Sequence, residues 1–474
     1  MNPHAIYRAL REAIVTMCAM LATLACTLSI APETGPGVLA VVLCLSLSRS
    51  HLDRDRHGRI EAAVALPLVG LVAVGVGHLL LHWPWVGAMV FVTGMTVSIW
   101  LRRFGPMTRR AGSLIALPFV AILVTPYVPT RHASPWLAAL MPIIVALLAL
   151  GWVTLFHALA RRMRVLAPVQ IVATHVAAPA PTSSLRPVAS TRMAIQMAGA
   201  LGVSFVIGYV FFAERWVWIV LTAFIVNSGN RGRLDVAYKS VLRVVGAAAG
   251  TLLALSVTLH LGNHDTTTIV LMLAAVFFGI WLRPLSYAWW ALFVTMALAL
   301  LQGFEGAPAT QLLALRLQEI VIGAVIGVAS AWIVYPIRST DVLRRRIADA
   351  LATLADTFDP DTPKRDSHAW QMRLADVAQL APPFRASLLI TCRIHALQPA
   401  DWIDALLGIS ESASTLIERG ESPGDVRKAI GSARRALREP EQLKSALQDL
   451  GDVLNNAAKR SELPTRQPAT TPGY

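Results

Sequence analysis

Twelve apolar runs occupy most of the first 335 residues: 13–31, 35–48, 62–81, 84–101, 111–128 and 136–160, then 194–213, 216–228, 241–261, 267–282, 286–303 and 311–335. A helix that crosses a bilayer needs roughly 20 apolar residues, fewer where membrane or helix adapts. Lipid offers no partner to peptide groups, so runs of this kind are expected as helices. Ala, Leu, Val and Gly dominate them, which suits helices packed on one another through small residues. Over the whole chain 55% of residues are apolar and 15% charged. A soluble globular domain is neither so apolar nor so poor in charge.

Charge placement sets the expected sidedness. Segments alternating to one side of the membrane before residue 336 carry 20 Lys and Arg: Arg8, Arg11, and groups within 49–59, 102–110, 161–192 and 231–243, with Arg283. The other side carries Arg131, Arg215 and Arg316. By the positive-inside rule the first side is cytoplasmic, and both termini lie there. The net charge of +14 then calls for no nucleic acid, because residues from 336 onward hold 19 basic against 18 acidic side chains. Arg8 and Arg11 ahead of an apolar stretch imitate a signal peptide, but eleven more runs follow. The expectation is an uncleaved first helix.

The runs fall into two sets of six. Ile-Trp-Leu-Arg at 99–102 recurs at 280–283, and Arg11 has a counterpart at about the same offset in Arg192, as Gly151-Trp152 has in Ala331-Trp332. A repeated unit decides architecture before any local feature does. Each half begins and ends on the same side, so the halves read as parallel repeats about an axis along the membrane normal. The fold class expected is an all-α polytopic membrane protein of two parallel six-helix repeats, 1–162 and 192–338. A flexible cytoplasmic linker rich in Pro, Ala, Ser and Thr, 163–191, joins them. Segments 341–358 and 442–459 place apolar residues at helical spacing, so 339–460 reads as a cytoplasmic helical domain. Residues 461–474 read as a disordered tail.

The residues that could carry chemistry are few. Cys18, Cys26, Cys44 and Cys392 form no CxxC, and neither HExxH nor a spaced His cluster occurs, so no metal, cofactor or disulfide framework is expected. With no phosphate loop and no catalytic constellation, an ATP-driven pump and a membrane enzyme are both disfavoured. Arg102 and Arg283, the arginines of the repeated motif, either line a substrate path from two sides or anchor helix ends beneath interfacial Trp. Arg243, just ahead of Gly246 and Gly250, is expected at the cytoplasmic mouth. Trp216 and Trp218 either stack an aromatic substrate or belong to an interfacial belt, and Asn227 is a gating group or a helix cap. The second and eighth runs are both short, and matching short segments in two halves point to a path at the repeat interface. Arg316 and Glu319, three residues apart on one helix face, form either a proton-coupling pair or a structural ion pair. Ionisable groups inside a span are costly, so they read as functional first.

Two segments carry a resemblance to a known family. Residues 214–255, ERWVWIVLTAFIVNSGNRGRLDVAYKSVLRVVGAAAGTLLAL, hold a short helix opened by Trp, a basic loop and Arg-x-x-Gly-x-x-x-Gly. Residues 316–336, RLQEIVIGAVIGVASAWIVYP, hold Arg-x-x-acid-x-x-x-Gly closed by Pro. Over about 190–336 this resembles the fusaric acid resistance family, also called the aromatic acid exporter family. The first half departs from the pattern: ALMPIIVALLALGWVTLF lacks the Arg and the acid, and Arg59 lacks the glycine spacing. The resemblance implies an efflux protein of the cell inner membrane that exports small organic anions, often aromatic carboxylates, with a periplasmic adaptor as partner. Proton coupling is the simplest energy source. A passive anion channel of the same architecture and an envelope scaffold stay open as alternatives, and so does a homo-oligomer.

Overall fold

Every element in the computed structural model is a helix among the residues it describes: 3–50, 56–104, single positions between 108 and 123, 135–166, 189–212, 215–261, 266–304, 309–359, 367–391, 398–421 and 423–462. The helices of the apolar part are α1 (Pro3–Ile30), α2 (Thr34–Ser50), α3 (Arg56–His82), α4 (Pro84–Trp100), α5 (Pro135–Arg162), α6 (Ala189–Phe211), α7 (Trp216–Asn227), α8 (Arg233–Leu261), α9 (Thr266–Leu282), α10 (Tyr287–Phe304) and α11 (Ala309–Ile333). A 3-10 turn, Leu101–Phe104, ends α4. Most of the fifth apolar run, most of 163–191 and nearly all of 461–474 lie outside the described residues.

Among the described residues, seven helices are long and apolar enough to cross a membrane, and four shorter apolar ones accompany them, Thr34–Ser48, Trp216–Asn227, Thr266–Leu282 and Tyr287–Gln302. The protein is a multi-pass helical membrane protein. Its apolar helices turn large side chains outward, as Val64, Leu68 and Leu71 of α3 and Met89 of α4 do. A bilayer takes up such faces without cost, whereas water would not.

The chain divides into two compact units, Met1–Asn230 with Lys239–Pro336, and Arg231–Tyr238 with Ile337–Tyr474. In the first, α1 packs on α2 and α5, and α2 on α5; further along, α6 packs on α7 and α11, and α7 on α11. Contacts also join α4 to α6 and α1 to α9. Small residues make the closest approaches. A Cβ added at Gly246 of α8 would stand 2.7 Å from the carbonyl oxygen of Ala288, and at Gly250 it would strike that of Leu292, both on α10. Pro67 and Pro142 lie inside α3 and α5, a placement that membrane helices tolerate.

The second unit is amphipathic throughout. Its helices are α12 (Ser339–Thr357), α13 (Ser367–Ala378), α14 (Ala381–Thr391), α15 (Pro399–Gly408), α16 (Ser410–Glu418), α17 (Gly424–Ala436) and α18 (Pro440–Glu462). Leu343, Ile347, Leu351 and Leu354 of α12 recur every three or four residues and meet Trp370, Ile403, Ile430 and Leu447 in one core. Residues 231–238 join this unit: Arg231 donates to the backbone carbonyl of Gln379 at 3.1 Å and to its Oε1 at 2.7 Å, and Ser339 Oγ accepts from the Leu234 amide at 2.9 Å. Gly232, at φ 121°, lies so close to Ser339 that a Cβ there would be 2.6 Å from its Oγ. Both space and backbone therefore demand glycine.

Candidate functional site

The last helix of the first unit brings the buried charges together. Twelve residues make α7 about 18 Å long, shorter than roughly 30 Å of hydrocarbon, so lipid alone does not house it. It is hemmed in instead, with Ile219, Val220, Leu221, Thr222, Ala223, Val226 and Asn227 all buried. The neighbour that makes this possible is α11. A Cβ at Gly323 would lie 2.5 Å from the Ile219 carbonyl oxygen, and one at Gly327 would lie 2.9 Å from Asn227 Nδ2. Arg316, Glu319, Gly323 and Gly327 follow one another at helical spacing, so the stripe that seats α7 also carries the two charges along it.

Arg316 and Glu319 are 3% and 1% exposed. The Arg316 guanidinium lies 3.7 Å from the ring centroid of Trp218, and its Nη1 donates to Gln302 Oε1 at 3.2 Å. That arrangement spends the planar cation on an aromatic face and an amide, and no ion pair closes between Arg316 and Glu319. Their charges still act on one another; Arg243 is a further electrostatic neighbour of Arg316, and Arg215 one of Glu319. Arg243 is 3% exposed. Its helix starts at Arg233, ten residues and about 15 Å earlier. The apolar run at 241–261 misses those first turns because Arg233, Asp235 and Lys239 interrupt it.

Buried polar atoms without hydrogen-bond partners occur on α7 and α11 and on Arg243 of α8. They are Arg243 Nε, Arg316 Nε, both carboxylate oxygens of Glu319, Thr222 Oγ1 and Asn227 Oδ1. Buried groups of this kind are rare in native proteins and call for an explanation each time. Three guanidinium groups and one carboxylate leave the cluster positively charged, and the unpartnered Nε atoms are donors turned to nothing. Chemically the cluster can take an anion.

The other expected site residues lie elsewhere. Arg102 is in the turn after α4, and Arg283 directly follows α9 with its guanidinium 5.6 Å from the Trp290 ring centroid. Trp216 packs on Phe205 and Tyr209, at centroid distances of 5.2 and 5.4 Å. Asn227 closes α7 and donates to the Ala223 carbonyl at 3.0 Å, one turn back. Asn230 donates to Gln196 Oε1 at 3.1 Å, and the Gln196 amide donates in turn to the carbonyls of Val334 and Tyr335 beyond the end of α11. Gln302 was not foreseen. Its signal in the sequence is a lone amide near the end of the apolar run 286–303.

Residues 200–330 match the family model described as fusaric acid resistance protein-like. Neither the curated proteins nor the solved structures contain a match to the chain. The matched stretch runs from α6 into α11 and includes Arg215, Trp218, Arg243, Gln302, Arg316 and Glu319. Over residues 200–330, therefore, the chain is similar to the fusaric acid resistance protein-like family.

Proposed function

We propose that this protein is a secondary transporter of the cell inner membrane that exports small organic anions, aromatic carboxylates among them, by exchange with protons. The observation that carries the reading is the buried cluster on α7, α8, α10 and α11, inside the stretch that matches the family. Arg243 and Arg316 supply donors for a carboxylate, which guanidinium groups bind as a fork. Glu319 is the proton carrier: it is an acid within a candidate span, has no hydrogen-bond partner, and feels the charges of Arg215 and Arg316. Trp218 holds Arg316 flat and Gln302 fixes its tilt, so both position the anion site. Thr222 and Asn227 extend the polar line along the α7–α11 seam. Arg102 and Arg283 serve as entry groups on the cytoplasmic side, and Trp216 as part of the wall behind α7.

The same reading keeps the architecture of two parallel six-helix repeats, 1–162 and 192–338, with the linker 163–191, the cytoplasmic domain 339–460 and the tail 461–474. Supporting it, the packing of α1, α2 and α5 has a counterpart in α6, α7 and α11, and the contacts α4 with α6 and α1 with α9 are reciprocal. Rotation about an axis between the halves produces that pattern. Seven long and four shorter apolar helices, with the run at 111–128, make twelve. A periplasmic adaptor receives the exported anion, and the termini stay in the cytoplasm.

The reading is tested by loading cells with a panel of aromatic and aliphatic carboxylates and following efflux with and without the protein. Efflux of at least one carboxylate that depends on the protein, and is abolished in Arg243→Gln, is expected. Equal efflux in both strains across the panel would count against transport and favour a scaffold.

A further inference from the structure

From residue 336 onward the chain is nearly neutral, with 19 basic and 18 acidic residues, yet its charges are not evenly spread. On α17, Arg427, Lys428, Arg434 and Arg435 are exposed, and Arg438 continues them in the turn that follows. At 3.6 residues per turn these five cations share an arc of about 120°. The opposite arc, Val426, Ile430, Ala433 and Ala436, is buried in the core. No Asp or Glu occurs between Val426 and Arg438. Asp425, at the first turn, lies 4.0 Å from Arg460, and Glu439 follows the stripe. Among the described residues Arg427, Lys428, Arg434 and Arg438 have no ion pair or side-chain hydrogen bond; Arg435 reaches Ser432 at 3.2 Å. A solvated helix usually intersperses the two signs, which costs it nothing. This one segregates them.

The stripe is tied to the start of α12. Arg344 donates through its Nε to the carbonyl of Leu437 at 3.0 Å, closing the C-terminal end of α17. Arg345 beside it and Arg338 before the helix are exposed. The last candidate span ends at Ile333, eleven residues ahead of Arg344, so a short stretch of chain tethers this unit to the span. Such a tether raises the effective concentration of headgroups at the stripe, and Lys and Arg close to a span attract anionic lipid. We infer that the Arg427–Arg438 face of α17, with Arg345, is a docking surface for anionic phospholipid headgroups. The inference is independent of what the cluster on α11 transports.

The full chain tests it. Cys18, Cys26, Cys44 and Cys392 are replaced by Ala and a fluorophore is attached at Gly431→Cys, in the middle of the stripe, where an added Cβ meets nothing within 4 Å. The protein is placed in nanodiscs of phosphatidylcholine alone or with one-third phosphatidylglycerol, each carrying a nitroxide headgroup lipid as quencher. Quenching is expected in the anionic discs only. It should fall by more than half when salt is raised to 0.5 M, where the screening length is about 4 Å, and by as much in the variant R427Q/R434Q/R438Q. The salt arm needs no variant and so does not depend on that variant's folding. Equal quenching in both discs, or none in either, overturns the proposal. So does a stripe that captures an added RNA oligonucleotide while the label stays unquenched by anionic lipid.

Discussion

Arg316 lies on the face of Trp218 and hands its hydrogen bond to Gln302, so three residues rather than one set where its charge sits. Replacing Arg316 by Lys keeps the charge but loses the plane that stacks and the second donor. Transport in Arg316→Lys should therefore fall about 5- to 30-fold, the size of a lost desolvated cation–π contact of roughly 1–2 kcal/mol, with the protein still present at normal abundance. Gln302→Ala should shift KM more than kcat, because it releases only the tilt of the guanidinium. Unchanged KM in Gln302→Ala assigns Gln302 to packing alone. The sequence makes Arg316 and Glu319 visible because a charge inside an apolar run stands out. Gln302 is hidden by being neutral and close to a helix end. Arg243 is visible as a residue but its burial is not, since the polar first turns of α8 look like a loop when only hydropathy is read.

At the scale of elements, the seam between α7 and α11 is built on glycine. Gly323 leaves no room for a side chain against the Ile219 carbonyl, whereas a Cβ at Gly202 of α6 meets nothing within 4 Å. Gly323→Leu must force the helices apart, at about 1–3 kcal/mol for overpacking, and should lower the melting temperature of the purified protein. Gly202→Ala should leave it equal or higher. Similar melting temperatures for the two variants would show that the seam tolerates widening. Helix existence was legible from the apolar runs, and the amphipathic spacing of 341–358 foretold a helix that begins at Ser339. Which helices pair was not, because the contacts of α4 with α6 and of α1 with α9 depend on tertiary fit rather than on any local pattern. In the second unit Trp370 is fully buried at the meeting of α12 and α13. Trp370→Ala should cost about 3–5 kcal/mol, read as loss of folded protein in a stability assay.

At the scale of the whole molecule, the account joins an anion site, a proton carrier and a membrane orientation, and each depends on the others. Reporter fusions after residue 175 and at the C-terminus should both report the cytoplasm. An external signal from either reverses the sidedness and with it the direction of export. The most direct test of the central claim places purified protein in sealed liposomes with a carboxylate identified by the efflux panel. A pH gradient is imposed with the membrane potential clamped at zero, and movement of the labelled anion is followed in wild type and in Glu319→Gln. The variant keeps shape and hydrogen bonding at position 319 but cannot titrate. The account predicts that wild type accumulates the anion against its gradient, and that Glu319→Gln loses this accumulation while still exchanging labelled for unlabelled anion at equilibrium. Accumulation by Glu319→Gln equal to that of wild type, or wild-type flux that ignores the pH gradient, contradicts it.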